Sequence, residues 1–144
     1  MRHSVFVMLA FGTFGIFAAE KRVGFRDLPP AVQAAVKEQS AGATVKGYSK
    51  EIENRTTTFE AEMTVNGHGK DVSFDPTGKV VSIEEEVTLD SIPSGAREAI
   101  QKAVGNGKLQ KVELVTEGGK TFYEAALRKN GKSSEIRVDL LARQ

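Results

Sequence analysis

The chain has 144 residues, with 20 Lys plus Arg against 19 Asp plus Glu, 40% hydrophobic and 27% charged residues. This is an ordinary globular composition, long enough for one domain or two small halves. The absence of cysteine excludes disulfides, thiolate catalysis and zinc–thiolate sites, and the near-neutral charge offers no field to steer the chain to nucleic acid or an anionic membrane surface.

The first nineteen residues read as an export signal. Met1-Arg2-His3-Ser4 is short and basic, and Val5 to Phe17 carries no charge. Ala18-Ala19 then precede Glu20, Lys21 and Arg22. A basic start, an apolar run and small residues at its end are the three parts of a secretory signal, and the run is short of the roughly 20 residues a membrane span needs. A signal peptide over 1–19, cleaved near Ala18 or Ala19, is therefore expected. It places the mature chain in the periplasm or outside the cell, with no stable membrane insertion. Removing Arg2 with the leader brings the mature net charge close to zero.

The chain next shows a match to itself at an offset of 64 residues. Leu28-Pro29 meets Ile92-Pro93, Phe59-Glu60-Ala61 meets Tyr123-Glu124-Ala125, Asn66-Gly67 meets Asn130-Gly131, and Phe74-Asp75 meets Val138-Asp139. Shared apolar and turn positions at one offset predict a tandem duplication, one copy at 25–87 and the other at 89–144. In each copy a proline opens a helix. Leu28, Val32, Ala35 and Val36, and then Ile92, Ala96, Ala99 and Ile100, recur with helical spacing. Glycine-containing stops follow at Ala41-Gly42 and Gly105-Asn106-Gly107.

Strands are predicted over Val45–Ile52, Thr57–Val65, Lys70–Asp75 and Lys79–Val87. Thr57 to Val65 alternates apolar and polar residues, the pattern of a half-buried strand. Asn66-Gly67 is a hairpin turn, Asp75-Pro76-Thr77-Gly78 another turn, and Val81 and Ile83 the expected apolar face of the fourth strand. The second copy offers Leu109–Thr116, Thr121–Lys129 and Ser133–Leu141, then ends without a fourth strand, leaving an open edge. The fold class expected is α+β: two tandem repeats, each one helix packed on an antiparallel three- to four-stranded sheet.

The combination Leu28-Pro29-Pro30-Ala31-Val32, Thr58-Phe59-Glu60-Ala61, Val72-Ser73-Phe74-Asp75 and Gly78-Lys79-Val80 resembles the PepSY-like domains, grouped with the beta-lactamase-inhibitor-like proteins of bacterial envelopes. The resemblance implies an antiparallel sheet with a helix on one face, export, and protein binding, sometimes inhibition, through the open sheet face. It implies no catalytic residue. The second copy departs from the pattern at Ser94-Gly95-Ala96 and after Asp139.

Chemistry-bearing residues are few. His68 is the one histidine beyond the leader and falls in the loop after Asn66-Gly67, so neither a Ser-His-Asp triad nor a transition-metal cluster can be assembled around it. Glu60 and Glu62 share one face of a strand about 7 Å apart, a spacing open to acid–base work or hard-cation binding but ordinary for a solvated sheet face. Glu84-Glu85-Glu86 reads as a solvated strand end, Gly118-Gly119 as a hairpin turn rather than a phosphate loop, and Asn54-Arg55-Thr56 as a glycosylation sequon. The reading is a non-enzymatic binding protein without cofactor or metal. Its partner is another envelope or secreted protein, and not nucleic acid. It is held on the outward positions Thr58, Glu60, Glu62, Asp71 and Ser73 of the first copy and Glu124, Arg128, Glu135 and Arg137 of the second. The alternative is a sensor of a small ligand or of a hard cation such as calcium on the same acidic face.

Overall fold

The structure is a computed structural model that describes residues 20–139 and the backbone of Val7 and Met8. The expected signal peptide and the tail 140–144 otherwise lie outside the described residues. The elements run β1 (Val7–Met8), β2 (Lys21–Val23), α1 (Pro30–Gln39), β3 (Thr44–Glu53), β4 (Thr56–Val65), β5 (His68–Phe74), β6 (Val80–Glu86), α2 (Ser94–Val104), β7 (Lys108–Glu117), β8 (Lys120–Lys129) and β9 (Lys132–Asp139).

The strands form one open antiparallel sheet in the order β1-β9-β8-β7-β6-β5-β4-β3-β2. This corrects the expected fold class: two tandem repeats with a sheet each are replaced by a single sheet with two α-helices among the described residues. The physical reason lies in the ladder. A strand ending a sheet leaves a row of unpaired N–H and C=O groups. Pairing continues here instead, and just past β6 the Val87 N–H donates to the Val112 carbonyl of β7 at 2.9 Å.

The chain divides into two compact units between Glu85 and Glu86. In the unit before the division, Pro30 occupies the first helical position of α1, where a missing N–H costs nothing. The helix buries Val32 and Val36 on the Phe59, Ala61 and Met63 side of β4 and the Val72 and Phe74 side of β5. Burial of each large apolar side chain stabilises by roughly 1.5–3 kcal/mol. The register pairs Phe59 with Phe74 and Ala61 with Val72. Ala61 at 0% exposure leaves the clearance for α1 to approach the sheet. In the other unit, α2 sets Ala96 and Ile100 against Val112, Ala125, Leu127, Ile136 and Val138.

Turn chemistry explains the hairpins. Asn66 and Gly67 have φ of 50° and 82°, as the Asn-Gly signal requires. Asn54 and Arg55, read from sequence as a sequon, also sit at positive φ, 49° and 65°, and make the β3–β4 turn. The Asp75 turn is held by its own carboxylate, whose Oδ1 accepts from the Thr77 N–H (2.8 Å), the Thr77 hydroxyl (2.5 Å) and the Lys79 N–H (3.2 Å). These bonds hold the Asp75 carboxyl below its ordinary pKa. The turn brings Gly78, at φ 85°, against α1, where an added Cβ would lie 2.5 Å from the Ala31 carbonyl oxygen. Gly42 has a similar φ of 75° and open space around it.

Val81 departs from its expected place. A bulge pairs Phe74 with Val80 and Ser73 with Ser82, so Val80 and Ile83 pack on the core while Val81 is 40% exposed.

Chemical denaturation of Gly78→Ala and Gly42→Ala tests the contact between turn and helix. Both variants lose the glycine advantage at positive φ, of order 1 kcal/mol. Gly78→Ala is expected to lose about 1–3 kcal/mol more, because backbone must move. Equal losses would contradict the close approach.

Candidate functional site

The pleat that buries Phe59, Ala61 and Met63 turns Thr58, Glu60, Glu62 and Thr64 to the other side of β4. Register extends that side across the sheet. Glu60 faces Ser49 of β3 and Ser73 of β5, Glu62 faces Gly47 and Asp71, and Asp71 and Ser73 face Glu84 and Ser82 of β6. The five residues predicted in this part of the chain, Thr58, Glu60, Glu62, Asp71 and Ser73, therefore share one face, and α1 lies on the opposite one.

The structure adds residues that sequence reasoning did not single out. Glu84, in the strand end read as solvated, also faces this side. From β2, Arg22 pairs with Ser49 in the ladder and reaches across the sheet so that Nη1 lies 3.0 Å from Glu62 Oε2. It crosses over Gly47, where a Cβ would stand 2.9 Å from Nη1. Glycine in the middle of a strand weakens the strand, and here it clears a lane for the guanidinium. The one sequence signal available was a glycine inside an otherwise regular strand, which marks a bulge or a close approach. Both occur, since the β3–β4 register also slips between Val45 and Gly47.

Carboxylates crowd this face. Oxygens of Glu20, Glu60 and Glu62 all lie within 4.8 Å of one another. Glu60 is half-buried, and its pKa is pushed up from 4.5 to about 7, first by burial and then by the neighbouring charges of Asp71, Glu84, Glu20 and Glu62. These three carboxylates are the described group of this unit that could hold a hard cation. Arg22 already engages Glu62, so one of the three carboxylates has a cationic partner within the chain.

The other unit presents a different face. Glu124, Arg128, Glu135 and Arg137 do share one side, with Glu124 opposite both Glu113 and Arg137. Charges there are matched. Lys111 Nζ is 2.6 Å from Glu113 Oε1 and Arg137 Nε is 2.9 Å from Asp139 Oδ1. Arg137 also stacks on Phe122, its guanidinium carbon 3.3 Å from the ring centroid. Phe122 and its partner Val115 are buried yet belong to neither core. His68 opens β5 and is exposed.

No family model and no curated protein matches the chain. Solved structures do resemble it. A proposed periplasmic protein from Bacteroides eggerthii superposes with a TM-score of 0.64 at 21% identity, over 78% of this chain and 81% of that one. A protein of the DUF2874 family from Bacteroides ovatus gives 0.61 at 19% identity, over 78% and 82%. A BLIP-like protein from Bacteroides fragilis gives 0.57 at 20% identity, over 76% and 77%. The chain therefore has a BLIP-like fold. No helix among the described residues is long and apolar enough to cross a membrane.

The raised Glu60 pKa has a signed consequence for stability. Below about pH 4.5 the carboxyl is protonated in both folded and unfolded chains and costs nothing. Between 4.5 and 7 the unfolded chain ionises first, so stability falls as pH rises, and above 7 the full penalty is present. Discounted for solvent access, the penalty is on the order of 1–2 kcal/mol. Thermal melts of Glu60→Gln are therefore expected to match the parent near pH 4.5 and exceed it by roughly 3–6 °C at pH 8. A gap that is constant with pH would contradict the assignment.

Proposed function

We propose that this chain is an exported, non-enzymatic binding protein of the PepSY-like kind that holds another envelope protein on its open sheet face, as an inhibitor or modulator of that protein. The observation that carries the reading is the face of β3 to β6 opposite α1. It is polar, it is built on paired strands, and among the described residues no α-helix of its own unit packs on it. A sheet face fixed by backbone ladders is a rigid platform, and charged groups on it favour specificity and association rate more than raw affinity.

The BLIP-like fold supports the reading, as do the proposed periplasmic location of the Bacteroides eggerthii protein and the export signal expected over 1–19. The one histidine among the described residues is exposed at the start of a strand, which supports binding over turnover.

Affinity capture with the tagged, exported chain from a cross-linked envelope extract is expected to recover one stoichiometric protein partner at several salt concentrations. The Glu60→Lys/Glu62→Lys variant, if folded by circular dichroism, is expected to lose that partner. Capture of no protein would sink the reading. A several-degree melting rise in millimolar calcium without any captured protein would favour the small-ligand or hard-cation alternative instead.

A further inference from the structure

The sheet ends differently on its two sides. At one end β2 is three residues long, and shortness is one way an edge strand is protected from pairing. At the other end β9 is eight residues long. It contains no proline and pairs with β8 in one unbroken register. Along such an edge, alternate residues turn their N–H and C=O groups outward.

Among the described residues, what pairs with the outer side of β9 is β1, where Val7 meets Val138 and Met8 meets Arg137 in antiparallel register. The backbone of β9 is thus open to an added antiparallel strand. The strand that takes the place belongs to the segment expected to be removed on export. Once that segment is cleaved, the outer side of β9 loses this partner.

The side chains of β9 say which strand fits next. An antiparallel strand paired with its own copy keeps each side chain on its face only when the two-fold axis passes beside one residue. Centred on Glu135, the pairing sets Glu135 against its own copy. Centred on Arg137, it sets Arg137 against its own copy and Glu135 against Asp139. Like charges directly opposite are destabilising. Centred on Ile136, every Glu135 meets an Arg137, every Ser133 meets an Asp139, and Ile136 meets itself on the side that α2 covers. Charges that would otherwise defend the edge therefore match in this one register.

We infer that the exported chain dimerises by antiparallel pairing of β9 with β9 of a second copy, centred on Ile136, and that the leader's β1 occupies this edge until it is cleaved. The inference rests on the export reading and concerns a different part of the sheet from the proposed protein-binding face.

Sedimentation velocity of the purified, exported chain from micromolar to millimolar concentration tests it, and a monomer–dimer equilibrium is expected. Glu135→Arg and Arg137→Glu should each weaken the dimer by roughly tenfold or more, because the two-fold repeats every altered pair. An equal mixture of these two variants should dimerise again, since every opposed pair is then of opposite sign. Arg137 also stacks on Phe122, so a second set leaves it intact: Ser133→Lys should tighten the dimer against Asp139, and Ser133→Glu should weaken it. Circular dichroism checks that each variant is folded. The inference is overturned if the exported chain stays monomeric, if charge reversal at 135 leaves the dimer unchanged, or if Ser133→Lys and Ser133→Glu act alike. A mixture of folded Glu135→Arg and Arg137→Glu chains that stays monomeric overturns it too. Mass spectrometry of the exported chain separates two failures. A retained leader overturns the export reading and the inference with it, whereas a cleaved chain that does not dimerise overturns the inference alone.

Discussion

A pleated strand offers its side chains two directions and no third, and β4 bears the consequence of that restriction. Phe59, Ala61 and Met63 point to α1 and are almost wholly removed from water. Thr58, Glu60, Glu62 and Thr64 must then point the other way, whatever it costs. A one-residue slip of register would bury the glutamates beneath the helix and expose the phenylalanine, so the core fixes the acidic face as firmly as it fixes itself.

The electrostatics of the face inherit that constraint. Glu60 does not sit among Asp71, Glu84, Glu20 and Glu62 because their mutual charge is favourable; burial first, and then that charge, raises its pKa. The ladder puts the acids there, and the apolar core holds the ladder. Arg22 offsets part of the repulsion from an edge strand of three residues. In the other unit the same two-sided geometry carries a different solution, in which Lys111 with Glu113 and Arg137 with Asp139 pair at close range and Arg137 covers Phe122.

Elements governed by local chemistry were legible in the sequence. The alternation from Thr57 to Val65, the Pro30 helix start and the Asn66-Gly67 turn each express a rule acting over a few residues, and β3 to β8 begin and end within a residue or two of where those rules put them, whereas β1 and β2 were not foreseen. The co-facial set Glu60, Glu62, Asp71 and Ser73 came from alternation alone, as did Glu124, Arg128, Glu135 and Arg137. The features that escaped depend on pairing between distant segments. Nothing in Val80 to Val87 announces that pairing continues from there to Val112. Val81 faces solvent because of a bulge that only register reveals. Arg22 and Glu62 are forty residues apart in sequence, and the glycine that lets them meet looks like any other glycine in a strand. Asn54-Arg55 was hidden for a different reason, since arginine is an uncommon occupant of left-handed turn positions.

The crowding of acids on the open face is tested most directly by titrating the Glu60 side-chain carboxyl itself, followed by carbon-detected NMR in the folded chain. The expected midpoint is about 7, moving toward 4.5 when Asp71 and Glu62 are neutralised together as Asn and Gln. A midpoint at 4.5 in the unaltered chain would mean that Glu60 is freely solvated and that the acids do not crowd it.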